Sequence, residues 1–233
     1  MTAVSTLIVL AGVAALVDWV AVGTSNNRLQ YAAKPAVLAL LVAAAALIPA
    51  AHSDLGARRG WFVVALVCCL VGDVLLMLPQ SLFIPGLVAF LAGHGFFIVG
   101  LLQPAATPTS PPFAFSATGL TLSVVVVLAV ECLPGYAIVR SLHRHGQSSL
   151  IGPVCLYMAA ILTMVVLAAN VGRPAAAFGA VCFLASDTLL ATDRFVRPLR
   201  QGTLLVHVTY HLAQGLLVIS LLRLCPVDIV AWW

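Results

Sequence analysis

Asp73 and Asp187 each stand inside a long apolar run, and of all the residues in this 233-residue chain they are the best placed to do chemistry. An aspartate within a membrane helix costs roughly 2.5 to 3.5 kcal/mol to insert, so such residues face the bundle interior and serve a pathway or a site. Two acids in a dry pocket can divide labour, one neutral and one ionised, as the carboxyl pairs of glycosidases do. Further polar residues share this setting. Lys34 lies one turn inside the second apolar run, with Tyr31 three positions earlier on the same helical side, and His94 and Tyr157 fall nearer the centres of their runs. In the last run His207, Tyr210, His211 and Gln214 follow i, i+3, i+4, i+7 spacing and make one polar stripe. Each has a plainer reading. Lys34 would serve as a snorkelling anchor and Tyr31 as part of an aromatic belt. His94 would pack between Gly93 and Gly95, and Tyr157 and Gln214 would bond between helices. His207 and His211 have metal-ligand spacing, but no carboxylate motif accompanies them, and the reading includes neither metal nor cofactor.

The elements that must position these residues are helices. The chain is 63% hydrophobic and 8% charged, against roughly 25% charged in a soluble domain. Apolar runs of about 20 residues, enough to cross a bilayer, consume nearly all of it. The sequence predicts helices over Thr2 to Val22, Tyr31 to Ala50, Trp61 to Pro79, Leu82 to Leu102, Phe113 to Leu133, Leu150 to Asn170, Ala175 to Thr192 and Thr203 to Leu222. Pro79, Pro111, Pro112, Pro134, Pro174 and Pro198 fall at or near those ends, where a missing backbone donor costs least. The expected fold is all-α, a polytopic membrane bundle of eight transmembrane helices forming a single domain over 1–233. The first run lacks a basic leader and is too long for a signal core, so it is expected to remain as the first span.

Composition also excludes several functions. The net charge of +4 comes from so few groups that no basic face for nucleic acid forms. Cys68, Cys69, Cys132, Cys155, Cys182 and Cys225 show no CxxC pair and read as small packing residues. The connector Gln103 to Pro112 is uncharged and reads as an extended loop, whereas Pro134 to Ser149 and Asp193 to Gly202 are basic connectors suited to lipid phosphates. In alternating order, Arg28, Arg140, Arg144, Arg194, Arg197 and Arg200 fall on one side and Arg58, Arg59, Arg173 and Arg223 on the other. The positive-inside rule makes the first side cytoplasmic. Both aspartates sit five or six residues before that face, ~8 Å inside it at the helical rise. The opposite halves of the runs are almost wholly apolar, which describes a cavity open to one leaflet rather than a conduit. CCLVGDVLL at Cys68 to Leu76 is echoed by CFLASDTLL at Cys182 to Leu190, each in the third helix of a set of four, and two parallel four-helix repeats are one arrangement that fits.

Taken together these motifs resemble the YhhN family of membrane proteins. The resemblance rests on Tyr31, Lys34 and Pro35 in YAAKP, Gly72 and Asp73 in GDVLLMLP, and Phe90 and His94 in FLAGHGFF. It continues through Pro153 and Tyr157 in PVCLY, Ser186 and Asp187 in SDTLL, and Tyr210 and Gln214 in TYHLAQ. Phe97, where a tyrosine is common, and His211 depart from the pattern. The resemblance implies an eight-helix enzyme that cleaves the vinyl ether bond of lysoplasmalogens, with a lysophospholipid substrate drawn from a bacterial plasma membrane. Vinyl ethers hydrolyse through acid, so Asp73 and Asp187 are the expected catalytic pair, Asp187 giving the proton. Lys34, Tyr31, His94, Tyr157, Ser186, Tyr210 and Gln214 are then expected to bind substrate and water. The rival readings are a small-solute or proton-coupled transporter, which should carry polar residues in both bilayer halves, an intramembrane aspartyl protease, which should carry GxGD, and a non-catalytic lipid-binding scaffold.

Overall fold

The protein is described by a computed structural model covering residues 2–49, 53–78, 82–103 and 117–222. Among the described residues eight α-helices follow one another: α1 (Thr2–Gly23), α2 (Asn27–Leu47), α3 (Ser53–Met77), α4 (Phe83–Leu102), α5 (Ala117–Arg144), α6 (Ile151–Asn170), α7 (Pro174–Ala191) and α8 (Gly202–Ile219). Among the described residues seven of them, all but α5, are long and apolar enough to cross a membrane. The fold is a polytopic membrane helical bundle.

Each helix turns one face inward by ordinary helical periodicity. On α1 the buried positions are Val4, Ala11, Ala15, Asp18 and Ala21, while Val9, Val13, Leu16 and Val20 point outward to where lipid lies. On α8 the predicted polar stripe is the inner face, with His207, Tyr210, His211 and Gln214 buried beside Leu217 and Val218. Small residues let the backbones approach. α3 and α4 pack along much of their length, and at Gly93 an added Cβ would lie 2.8 Å from the Cys69 sulfur and 3.2 Å from the Ala65 carbonyl. Gly95, which shares the predicted contact role, faces open space instead. Phe97 sits edge-on to Phe62 at 5.0 Å, both fully buried, a place with no use for a phenol.

Several predicted boundaries move. α3 begins at Ser53 rather than Trp61, so Arg58 and Arg59 lie on a helix. Arg58 donates to the carbonyls of Gly100 and Gln103, Arg59 to that of Ile48, and Arg173 to those of Ser220 and Leu222. These arginines satisfy the orphan carbonyls at the ends of α4, α2 and α8. Pro134 does not end α5, which continues to Arg144 and shortens the basic connector to the residues before a 3-10 turn at Ser148–Leu150. A proline inside a helix frees only one carbonyl, and a long helix with apolar neighbours absorbs that loss. Pro35 likewise lies inside α2 and withholds the donor that the Tyr31 carbonyl would receive. The connector Asp193 to Gly202 starts as a π-helical turn, Thr192–Val196, and Asp193 accepts the Leu199 backbone N–H at 2.7 Å. Pro79, Pro111, Pro112, Arg223, Cys225, the start predicted at Phe113 and most of the connector Gln103 to Pro112 lie outside the described residues.

The packing has a two-fold pattern. α3 lies on α4 as α7 lies on α8, α2 on α3 as α6 on α7, and α4 crosses to α6 as α8 crosses to α2. The second, third and fourth helices of the two halves therefore occupy matching places, in keeping with the CCLVGDVLL and CFLASDTLL echo. The first helices break the match. α1 packs on both α2 and α8, whereas α5 packs on α6 and the turn at 192–196 but shares no substantial packing with α4 among the described residues.

Candidate active site

Asp73 sits one turn before the end of α3 and is fully buried. Lys34 Nζ lies 3.0 Å from its Oδ1, and the Tyr210 hydroxyl donates to its Oδ2 at 2.9 Å. Lys34 reaches the acid because it shares the inner face of α2 with Ala33, Val37 and Leu38. It is 7% exposed and ends on a carboxylate, so it is not a snorkelling anchor. Its ammonium also stands 5.8 Å from the centre of the Tyr210 ring. A buried cation and anion at this distance compensate each other's lost hydration, and the phenol fills a further acceptor site on the carboxylate.

Asp187 has a different company. The Tyr157 hydroxyl donates to its Oδ2 at 2.8 Å, and His94 Nε2 approaches the same oxygen at 3.5 Å. His94 Nδ1 is 2.8 Å from the Phe90 carbonyl, an atom that can only accept, so Nδ1 carries hydrogen, and a neutral ring would present its Nε2 lone pair to the carboxyl group. Two lone pairs facing each other repel unless a proton lies between them. No lysine or arginine is paired with Asp187 among the described residues, and its side chain is 14% exposed against 1% for Asp73.

The two acid clusters repeat the two-fold pattern of the helices. In each, an aspartate on the third helix of one half meets a residue from the second helix of its own half, Lys34 or Tyr157. Each also meets one from the fourth helix of the other half, Tyr210 or His94. Phe183 bridges them, with its ring 4.6 Å from that of His94 and 5.6 Å from that of Tyr210. No hydrogen bond joins the two carboxyl groups among the described residues, yet both line one cavity of about 320 Å³. Its walls include Asn27, Gln30, Tyr31, Lys34, Ser186 and His207, and it lies at the end of the bundle where α2 and α8 begin and α3 and α7 finish. Tyr31 is half exposed and its hydroxyl donates to the Met77 carbonyl at 2.9 Å, tying α2 to α3. Ser186 donates to the Val206 carbonyl at 3.2 Å, tying α7 to α8. Gln214 is fully buried on α8 and does not reach the cavity wall. A second, apolar cavity of about 130 Å³ lies between α4, α5, α6 and α7, and Asp187 and Leu190 line both.

Two buried acids escape the sequence reading. Asp18 is fully buried in α1, with His207 Nδ1 2.6 Å from its Oδ2 and His211 Nδ1 at 3.9 Å from the same oxygen. Trp19 donates to His211 Nδ1 at 3.1 Å. The signal was present: Asp18 falls fourteen residues after Val4 and three after Ala15, on the stripe that α1 buries. Glu131 on α5 accepts the Thr188 hydroxyl at 3.0 and 3.2 Å and lines the apolar cavity. Reading Pro134 as a terminator places Glu131 near a helix end, whereas α5 carries it thirteen residues inside.

Known proteins resemble this chain over most of its length. The family model described as YhhN family matches residues 29–221. A protein of Mycobacterium tuberculosis named lysoplasmalogenase is 35% identical over 178 residues, which are 74% of this chain and 62% of that protein. The human and mouse proteins named lysoplasmalogenase TMEM86B are 32% and 33% identical over 159 residues, 68% of this chain and 62% of each. The chain thus spans a little over three fifths of the length of these curated relatives. No solved structure matches it.

Proposed function

The chain belongs to the YhhN family, and from that membership we propose that it is a membrane hydrolase that cleaves the vinyl ether bond of a lysoplasmalogen. Its products are a fatty aldehyde and a glycerophospho-headgroup, and its substrate is a lysophospholipid that reaches it from the bilayer. The proteins named lysoplasmalogenase support this reading from outside. Within the molecule the observation that carries it is the unlike company of two acids on one cavity. Asp73 is balanced by the Lys34 ammonium, whereas Asp187 meets a phenol and an imidazole and, among the described residues, no lysine or arginine.

The chemistry needs that division. Asp187, holding the proton that its facing lone pairs call for, gives it to the β carbon of the alkene, and the α carbon becomes an oxocarbenium ion. Asp73, kept ionised by Lys34, stabilises the positive charge in surroundings of low dielectric, where such an interaction is strong. Water adds to the α carbon and returns one proton to Asp187, with His94 beside it as a relay. The hemiacetal then breaks its bond to the glycerol oxygen, which leaves with the hydroxyl proton, so the overall change is addition of one water and cleavage of one C–O bond. Tyr157 orients Asp187 and Tyr210 orients Asp73. Tyr31, Ser186 and the polar residues at the mouth meet the headgroup, and Gln214 supports them from behind. The excess of arginine on the cavity's face supports a headgroup on the cytoplasmic side, and a bacterial plasma membrane is the proposed location.

The test is to incubate the purified protein in detergent with a lysoplasmalogen and, separately, with an acyl lysophospholipid. Aldehyde from the vinyl ether alone is expected. Asp187→Asn should fold and lose on the order of 100-fold or more, the usual scale of a general acid. Full activity in that variant rejects the acid role of Asp187, and solute flux in liposomes without aldehyde would favour a transporter.

A further inference from the structure

A lysoplasmalogen has two unlike halves, and the bond to be broken joins them. The headgroup is polar and the alkenyl chain is hydrocarbon, so an enzyme for this bond needs a polar chamber and an apolar one that meet at the acid. Here Asp187 and Leu190 stand on the wall of both the polar cavity and the apolar one. Asp73 lines the polar cavity and not the other.

The apolar cavity runs from Leu150, at the end of the 3-10 turn, along α6 to Leu162, with Tyr157 between them. Those twelve residues of helix amount to roughly 18 Å. Leu87 and Leu91 of α4 form one wall, Val154, Met158 and Ile161 of α6 the floor, and Leu184 of α7 borders the acid. Its rim reaches the outer surface of the bundle, since Ile84 and Val88, which also line it, are about half exposed.

The two-fold pattern shows why this seam is open. In the first half of the chain the corresponding seam, between α1 and α8, is packed shut, and Asp18, Trp19, His207 and His211 tie it across. In the second half α5 shares no substantial packing with α4 among the described residues, and its Glu131 turns to Thr188 of α7 instead. Among the described residues, then, one seam is sealed by buried polar groups and the matching one is apolar and reaches the bundle's outer surface.

We propose that the substrate's hydrocarbon chain enters sideways from the bilayer between α4 and α5 and lies in this apolar groove, leaving the vinyl ether at Asp187 and the headgroup in the polar cavity. This rests on the hydrolase reading for its substrate, and it adds the route, the chain site and the residues that set chain preference. Because the groove opens to lipid, a tail longer than the groove continues into the bilayer.

Two measurements test it. Val154→Trp fills the floor of the groove without touching either acid. Its aldehyde release from a long-chain lysoplasmalogen should fall by roughly tenfold relative to a vinyl ether with a two-carbon chain, the loss expected for about two buried methylene groups. Equal change on both substrates, or on neither, overturns the chain site. The second measurement needs no turnover and no variant: a saturated ether lysophospholipid with a diazirine in mid-chain is photolysed in the wild-type protein, and the labelled peptides are identified. Labels on α4, α5 and α6 are expected, and labels concentrated on α1 and α2 overturn the proposal whether or not the tryptophan variant folds. Absence of aldehyde from every substrate would reject the hydrolase reading, while the labelling pattern would still report where a lipid chain binds.

Discussion

Replacing Lys34 by methionine isolates the pair on which the ionised acid depends. The ammonium is 3.0 Å from Asp73 Oδ1, and the two side chains are 9% and 1% exposed, so neither charge falls back on water when the other is lost. Methionine keeps the length of the lysine stem and removes the charge, which leaves Asp73 with the Tyr210 hydroxyl as its hydrogen-bond partner. Breaking one side of a buried pair costs between about 3 and 5 kcal/mol, whereas removing both charges is often close to neutral. Lys34→Met should therefore lower the folding equilibrium constant by roughly a hundredfold to several thousandfold. Lys34→Met combined with Asp73→Asn should recover most of that loss. The assay is reversible unfolding in mixed micelles with increasing denaturing detergent, followed by helical circular dichroism, for the parent, both single variants and the double. Molar salt should change the coupling little, because buried pairs are poorly screened. If Lys34→Met lies within about 0.5 kcal/mol of the parent, or the double variant is no more stable than the single, the buried pair is not the working arrangement and the case for an ionised Asp73 fails.

Two other outcomes follow from single contacts. Tyr157→Phe removes the hydroxyl that donates to Asp187 at 2.8 Å; it should cost about 1.5 to 3 kcal/mol if that bond is charge-assisted and about 1 kcal/mol if Asp187 is neutral, so stability in micelles reports the state of the acid, while aldehyde release should drop in either case. Gly93→Ala puts a Cβ 2.8 Å from the Cys69 sulfur and 3.2 Å from a backbone carbonyl, and it should destabilise by roughly 1 to 3 kcal/mol of overpacking. Adding Cys69→Ala should restore part of the loss, and no recovery on thermal unfolding would assign the strain to the carbonyl of Ala65.

What could be read before any coordinates was the part governed by composition and local periodicity. Twenty-residue apolar runs must be helices in a bilayer, because a backbone group left unpaired there has no solvent to bond. The same runs single out Asp73, Asp187 and the His207 to Gln214 stripe by the cost of placing polar groups in them. Helical spacing shows which residues share a face, and alternation of spans shows which lie at the same end. The partners were decided by tertiary packing alone. Nothing local distinguishes Lys34 as the counter-charge of Asp73 from Lys34 as an anchor at the interface. That choice depends on α2, α3 and α8 meeting, across 39 residues to the acid and 137 more to Tyr210. The partners of Asp18 and the setting of Glu131 were hidden for related reasons. Asp18 finds its histidine 189 residues away, and Glu131 lies beside a proline that stops a helix in water but only interrupts one where neighbouring helices hold it. The sparse packing between α4 and α5 among the described residues is a property of how the halves meet, and a linear pattern of side chains carries no record of which helices pack together.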